Sequence, residues 1–298
     1  MQDIVALLQA QSGLFLSLVF VLGLAIGSFL NVVIHRLPIM MQREWRRECA
    51  EVTGTEPAPE SPEVYDLVRP RSACPQCGHR ISALQNIPVL SYLWLRGRCA
   101  ACRAHISMRY PLVELATAAA SLLVAWKFGA TFETAAALLF TWSLIALAMI
   151  DLDTQYLPDS ITQPLLWAGL LLSLAAAVVP HQSLFPAPAT AIIGAAAGYL
   201  SLWSVFQLFR LLTGKEGMGY GDFKLLAALG AWLGWERLLL IVPLSAGIGA
   251  IVGISLIVLR RHERSKPIPF GPFLAAGGWV AMLWGDAIID AYVDRFMI

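Results

Sequence analysis

Ala135-Ala-Ala-Leu-Leu-Phe-Thr-Trp-Ser-Leu-Ile-Ala-Leu-Ala-Met-Ile-Asp-Leu-Asp153 is a long apolar run that ends on two aspartates. No charge interrupts it before Asp151. Such a run reads as a helix in lipid or in a deep core, and an acid at its end is a functional candidate by default. Composition decides between lipid and core. Hydrophobic residues are 58% of the chain and charged residues 14%, with a mean hydropathy of +0.67. A soluble protein of this length would carry roughly 25% charged residues. The expected fold class is therefore an all-α polytopic membrane protein.

Other apolar segments follow the same pattern. The run Leu14–Val33 is too long for the apolar core of a signal peptide, and Met1–Ile4 carry no Lys or Arg. It is expected to be a first transmembrane helix, with Asn31 and His35 at its end. Further segments lie at about 111–128, 132–150, 162–180, 188–212, 223–236, 238–259 and 272–290. A crossing needs about 20 residues. The 223–236 run is short, and Trp235-Glu236-Arg237 divides it only weakly from the next. Eight transmembrane helices are expected, with seven as the fallback. Gly194, Gly198, Gly247, Gly249, Gly253, Gly277 and Gly278 recur inside these segments and read as close helix packing.

The charges orient the chain. Residues 35–110 carry arginines at 36, 43, 46, 47, 69, 71, 80, 96, 98, 103 and 109. If that stretch is cytosolic, eight spans also put Arg210, Lys215, Lys224, Arg260, Arg261, Arg264 and Lys266 in the cytosol. Only Lys127, Arg237 and Arg295 remain outside, which satisfies the positive-inside rule. The expected division is residues 1–34 as the first transmembrane helix, 35–110 as a cytosolic loop and 111–298 as a membrane core of about seven helices. Glu51–Pro62, rich in Pro, Glu and Thr, reads as a flexible surface stretch. The net charge of +1 gives no reason to expect nucleic acid as a partner; lipid is the expected surrounding.

The cytosolic loop carries two knuckles, Cys74-Pro-Gln-Cys77 and Cys99-Ala-Ala-Cys102. Four thiolates in two tight turns can close one tetrahedral Zn²⁺ site. A cytosolic location disfavours the alternative of two disulfides. A Cys₄ site has no open position, so its expected role is structural. Cys49 stands outside the knuckles, and His79 and His105 read as surface residues.

Two acidic stretches then share the cytosolic boundary. One is Asp151-Leu-Asp153, followed by Leu157-Pro-Asp159; the other is Gly219-Tyr-Gly-Asp-Phe-Lys224. Asp159 sits where a helix cap is expected. Asp151 and Asp153 are two apart and do not share a helix face, so only one would meet Asp222. Two carboxylates held together share a proton, and the pair can activate water against a peptide carbonyl and protonate the leaving amine. Ion binding and helix packing remain open for the same acids on spacing alone. Gly219 and Gly221 are expected to let an extended backbone approach Asp222.

The sequence resembles the type IV prepilin peptidases, also called prepilin leader peptidase/N-methyltransferases. The likeness runs through Gly27-Ser-Phe-Leu-Asn-Val-Val-Ile-His-Arg-Leu-Pro38, both knuckles, Asn86–Arg98, Ile106–Glu114, Ile150–Asp153, Leu157–Asp159, Gly214–Leu226 and Ile268–Phe273. An Ala/Pro-rich connection near His181–Pro188 departs from the pattern. The resemblance implies a bifunctional enzyme of the bacterial inner membrane. It would remove the basic leader of prepilins and pseudopilins after a glycine, then methylate the new N-terminus with S-adenosylmethionine. It implies Asp151 and Asp222 as the catalytic pair. Asp153, Asp159 and Glu216 are candidates to attract the basic leader. No glycine-rich fingerprint marks a cofactor site, and Glu114 reads as a helix-start carboxylate.

Overall fold

The computed structural model describes residues 12–55, 64–178, 184–259 and 268–296. Residues 56–63, part of the His181–Pro188 connection, and Arg260, Arg261, Arg264 and Lys266 lie outside these. Every apolar segment read from the sequence is a helix. We number them α1 (Ser12–Thr53), α2 (Leu90–Trp94), α3 (Arg109–Phe128), α4 (Phe132–Thr154), α5 (Asp159–Val178), α6 (Pro188–Thr213), α7 (Tyr220–Leu233), α8 (Trp235–Val258) and α9 (Gly271–Phe296). Among the described residues α1, α3, α4, α6, α8 and α9 are long and apolar enough to cross a membrane. The expected eight are thus present as helices, and six of them meet that standard. At 14 residues α7 rises only about 21 Å, short of the roughly 30 Å of hydrocarbon.

The chain forms two compact units, Met1–Trp142 and Ser143–Ile298. In the first, α1 continues past residue 34 to Thr53 with Pro38 inside it. Residues 39–53 are rich in Met, Gln, Arg, Glu and Ala, which favour helix without favouring lipid. Loss of hydropathy marks where the chain leaves the apolar phase, not where the helix stops. Two glycines bring α1 onto α3. A Cβ on Gly23 would stand 2.7 Å from the Ala118 Cα, and one on Gly27 would stand 2.7 Å from the Glu114 Cα. This is the small-residue spacing by which helices touch in lipid. The buried Ser121 hydroxyl donates to the Thr117 carbonyl and accepts from the Trp142 indole at 2.9 Å. Arg36, itself buried, donates to the carbonyls of Asp66 and Pro70 and ties the loop to α1.

The second unit is built round α7, which is buried along its length except at its start. On one side α6 meets it backbone to backbone. A Cβ on Gly194 would overlap the Gly230 carbonyl, and one on Gly198 would lie 2.5 Å from the Leu226 carbonyl oxygen. On α5, Gly169 leaves room for Trp232, whose indole donates to the Leu165 carbonyl at 2.7 Å. Gly278 of α9 accommodates Leu229, and Gly277 accommodates Ser245 of α8. The glycines read as packing residues do pack in these cases. Gly247 differs, because nothing lies within 4 Å of where its Cβ would be.

These two glycines give opposite expectations. Gly194→Ala should lower stability by about 1–3 kcal/mol or more, because backbone must move. Gly247→Ala should leave stability unchanged or raise it slightly, since alanine favours helix. Thermal unfolding of the purified protein in detergent, followed by tryptophan fluorescence, separates the two. Equal midpoints for both variants would show that the α6–α7 contact is not limiting.

Candidate active site and metal centre

The second unit sets two carboxylates into one apolar surround. α4 delivers Asp151 at the end of a face carrying Leu144, Leu147 and Ile150, all buried. α7 delivers Asp222 in its first turn, after Gly219 in an extended conformation at the cap position. An acid there is favoured by the helix dipole. Phe206 lies 5.3 Å from the ring of Tyr220 and 5.6 Å from that of Phe223, which fixes the start of α7 against α6. Asp151 and Asp222 are 5% and 7% exposed, so neither is a solvated loop acid. One side chain links their surroundings: Leu157 lies against Gly221, the neighbour of Asp222, and against Gly271, whose amide binds Asp151.

Their local partners differ. Asp151 Oδ2 accepts the Gly271 N–H at 3.0 Å. A Cβ on Gly271 would stand 2.6 Å from that oxygen, so only glycine allows the contact. Asp222 Oδ1 is buried and has no hydrogen-bond partner among the described residues. An unmet buried oxygen costs about 1–3 kcal/mol, and such costs persist where function uses the atom.

Leu157 stands between the two acidic segments. It contacts the Cβ positions of both Gly221 (2.7 Å) and Gly271 (3.2 Å). Beside Gly221 it is thus the chain's own Leu157 that takes up the space a side chain would fill. Nearby, Lys224 Nζ bonds both oxygens of Asp159 at 2.8 and 2.7 Å, joining the start of α5 to the start of α7. Asp159 opens α5 as expected but spends its charge on Lys224. Asp153, two residues beyond Asp151, is exposed. Sequence reading found the two aspartates and missed Gly271 and Leu157. Both lie within stretches that carry the resemblance, Ile268–Phe273 and Leu157–Asp159, but neither was given a role there.

The four knuckle cysteines converge in the first unit. Their sulfurs all lie within 4.8 Å of one another. Cys74–Cys102 and Cys77–Cys99 are separated by 3.8 and 4.0 Å, near the about 3.8 Å edge of a tetrahedron of thiolates round zinc. Gly78, with φ +70°, makes the first turn, and Arg103, with φ +61°, makes the second. Backbone amides of Cys102 and Ala101 pull the Cys99 thiol down to about 6, and those of Cys77 and Gln76 lower Cys74. Each knuckle thus has one thiol biased towards the thiolate a metal binds, while the crowding of the neighbouring sulfurs pushes the Cys102 thiol up to about 11. The donor set fits structural zinc. Cys49, His79 and His105 are exposed and outside the cluster.

Two family models divide the chain much as the fold does. "Bacterial Peptidase A24 N-terminal domain" matches residues 21–128, and "Type IV leader peptidase family" matches 138–254, which includes Asp151 and Asp222. A prepilin leader peptidase/N-methyltransferase of Aeromonas salmonicida is 58% identical over 95% of this chain and 96% of its own. One from Pseudomonas aeruginosa is 56% identical over 92% and 91%. One from Burkholderia pseudomallei is 51% identical over 92% and 87%. No solved structure matches. With similarity running over nearly the whole of both chains, this protein belongs to the type IV leader peptidase family.

Proposed function

We propose that the chain is a prepilin leader peptidase and N-methyltransferase whose peptidase pair is Asp151 and Asp222. The observation that carries the second half of that statement is two buried carboxylates in one helical unit, their flanking glycines packed on the same Leu157, with one carboxylate oxygen unmatched among the described residues. Two carboxylates in such a site share one proton. The ionised member takes a proton from water, which attacks the scissile carbonyl. The protonated member stabilises the developing oxyanion and then protonates the departing amine. The Gly271 amide and the Asp159–Lys224 link hold the two carboxylates in place for both steps.

The substrates are prepilins and pseudopilins, with the basic leader in the cytosol and the apolar segment in the inner membrane. The distribution of arginines in 35–110 supports a cytosolic site. The cut after glycine follows from the family resemblance. Asp153, Asp159 and Glu216, all exposed, are the acids that would attract a basic leader. S-adenosylmethionine supplies the methyl group for the second activity. Zinc on Cys74, Cys77, Cys99 and Cys102 would cross-link a loop with little core of its own. The first helix, the cytosolic loop and the membrane core remain the working division of labour. The second unit holds the peptidase site.

Asp151→Asn and Asp222→Asn should each reduce prepilin cleavage by about a thousandfold or more in proteoliposomes, with both variants still folded by circular dichroism. Normal cleavage in either would remove that residue from the pair and leave ion binding as its role. Metal analysis of the purified protein should find one zinc per chain, and Cys74→Ser should lose it. A protein that is free of zinc yet unfolds at the same temperature would sink the structural assignment.

A further inference from the structure

The first unit leaves an apolar face uncovered on its cysteine-bearing loop. In α2, Leu90, Leu93 and Trp94 are 63%, 65% and 79% exposed. Residues three and four apart share a helix face, so these three form one outward stripe. Leu84 and Ile87, just ahead of it, are exposed as well. The other side of the same turn is occupied. Ser91, Tyr92 and Leu95 face a cavity that the loop encloses with α1 and α3. The Tyr92 hydroxyl donates to the Ile106 carbonyl at 3.4 Å. α2 is therefore fixed with its apolar stripe facing out. A clustered apolar surface of this kind marks contact with a protein or a membrane.

Two hydrogen bonds set the level at which α2 lies. Asn31, two residues from the end of the apolar run of α1, donates to the Tyr110 carbonyl at 3.1 Å. Tyr110 directly precedes the apolar part of α3, so both spans leave the apolar phase at one height. Glu114 lies five residues beyond Arg109, about 7.5 Å along α3. Its Oε2 accepts the Val89 N–H at 2.8 Å. Val89, the residue before α2, has φ +60° and ψ −48°, a conformation that β-branched residues avoid. Such outliers persist where the surroundings fix them, and here the Glu114 side chain does so. α2 thus begins within one glutamate side chain of the level where α1 and α3 enter lipid.

We propose that Leu90, Leu93 and Trp94 insert into the bilayer that the chain spans, at the boundary of acyl chains and headgroups, and that Arg96 and Arg98 bind anionic headgroups there. Tryptophan is favoured at that boundary, and an apolar helix face lying in it is buried to a depth of about 5–10 Å. Arg96 and Arg98 follow Trp94 closely, are exposed and pair with no acid among the described residues. A purely apolar partner would leave both cations unused. An anionic lipid surface meets the stripe and the charge together. The cysteine-bearing loop thus lies on the membrane instead of standing free of it. The inference rests on α3 crossing the bilayer and is independent of the peptidase and methyl-transfer readings.

The test uses the full chain in nanodiscs of zwitterionic lipid, with and without added phosphatidylglycerol. A benzophenone amino acid replaces Trp94, or Leu93 as a second position, and its adducts after irradiation are identified by mass spectrometry. Both positions are exposed, so the probe displaces no packed side chain. The control position is Glu48, exposed on α1 fifteen residues past Val33. Positions 93 and 94 should form lipid adducts about tenfold or more above the control. Phosphatidylglycerol should raise that yield about fivefold. Arg96→Gln combined with Arg98→Gln should abolish the rise while leaving the unfolding temperature unchanged. Adducts with residues 143–298, adducts with a second copy of the chain, or no adducts would each overturn the membrane assignment. So would an added prepilin that replaces lipid as the cross-linked partner. A lipid yield indifferent to phosphatidylglycerol would overturn the headgroup contact of Arg96 and Arg98.

Discussion

The contact between the backbones of Gly194 and Gly230 sets how far α7 can sink among its neighbours. No side chain separates α6 from α7 there, so the shorter helix lies at the centre of its unit and not at the edge. The apolar stretch from Phe223 to Leu233 is buried as a consequence. A 14-residue helix placed this way must begin inside the bundle, and its first turn carries Asp222. The carboxylate is desolvated because the helix is short and central. A longer α7 would have lifted Asp222 into water, where it would be an ordinary cap residue.

The buried acids then need a frame, which the neighbouring loops provide. Leu157 fills the space left by the missing side chains of Gly221 and Gly271. The Gly271 amide fixes Asp151, and the Lys224–Asp159 pair closes the gap between the starts of α5 and α7. Apolar wedge, amide donor and ion pair act on different atoms, so the two carboxylates are held by independent restraints.

Much of this was legible in the sequence, for identifiable reasons. The CxxC spacing fixes two thiolates in each turn, so local chemistry predicts a cluster that the fold completes. Asp151 stood out because it ends a long apolar run, and Asp222 because it follows two glycines at the mouth of a shorter one. The eight helices followed from hydropathy alone. What the sequence hid depends on contacts distant along the chain. Gly271 meets Asp151 across 120 positions, and Lys224 meets Asp159 across 65. Glu114 looked like a helix-start acid, and only its burial and its bond to Val89 set it apart. Helix α1 outran its apolar segment because helix propensity and lipid preference are separate properties of the same residues. Six of the eight helices meet the standard for crossing among the described residues, and burial within protein can sustain an apolar helix as short as α7.

The length of α1 has a consequence for biogenesis. At 42 residues it measures about 63 Å, roughly twice the hydrocarbon thickness. Its apolar half emerges from the ribosome first, followed at once by Arg36, Arg43, Arg46 and Arg47 on the same rigid rod. A basic segment that close behind a span resists translocation. One continuous helix thus carries both the apolar segment and its basic flank, and it is complete before Asp151 or Asp222 has been synthesised.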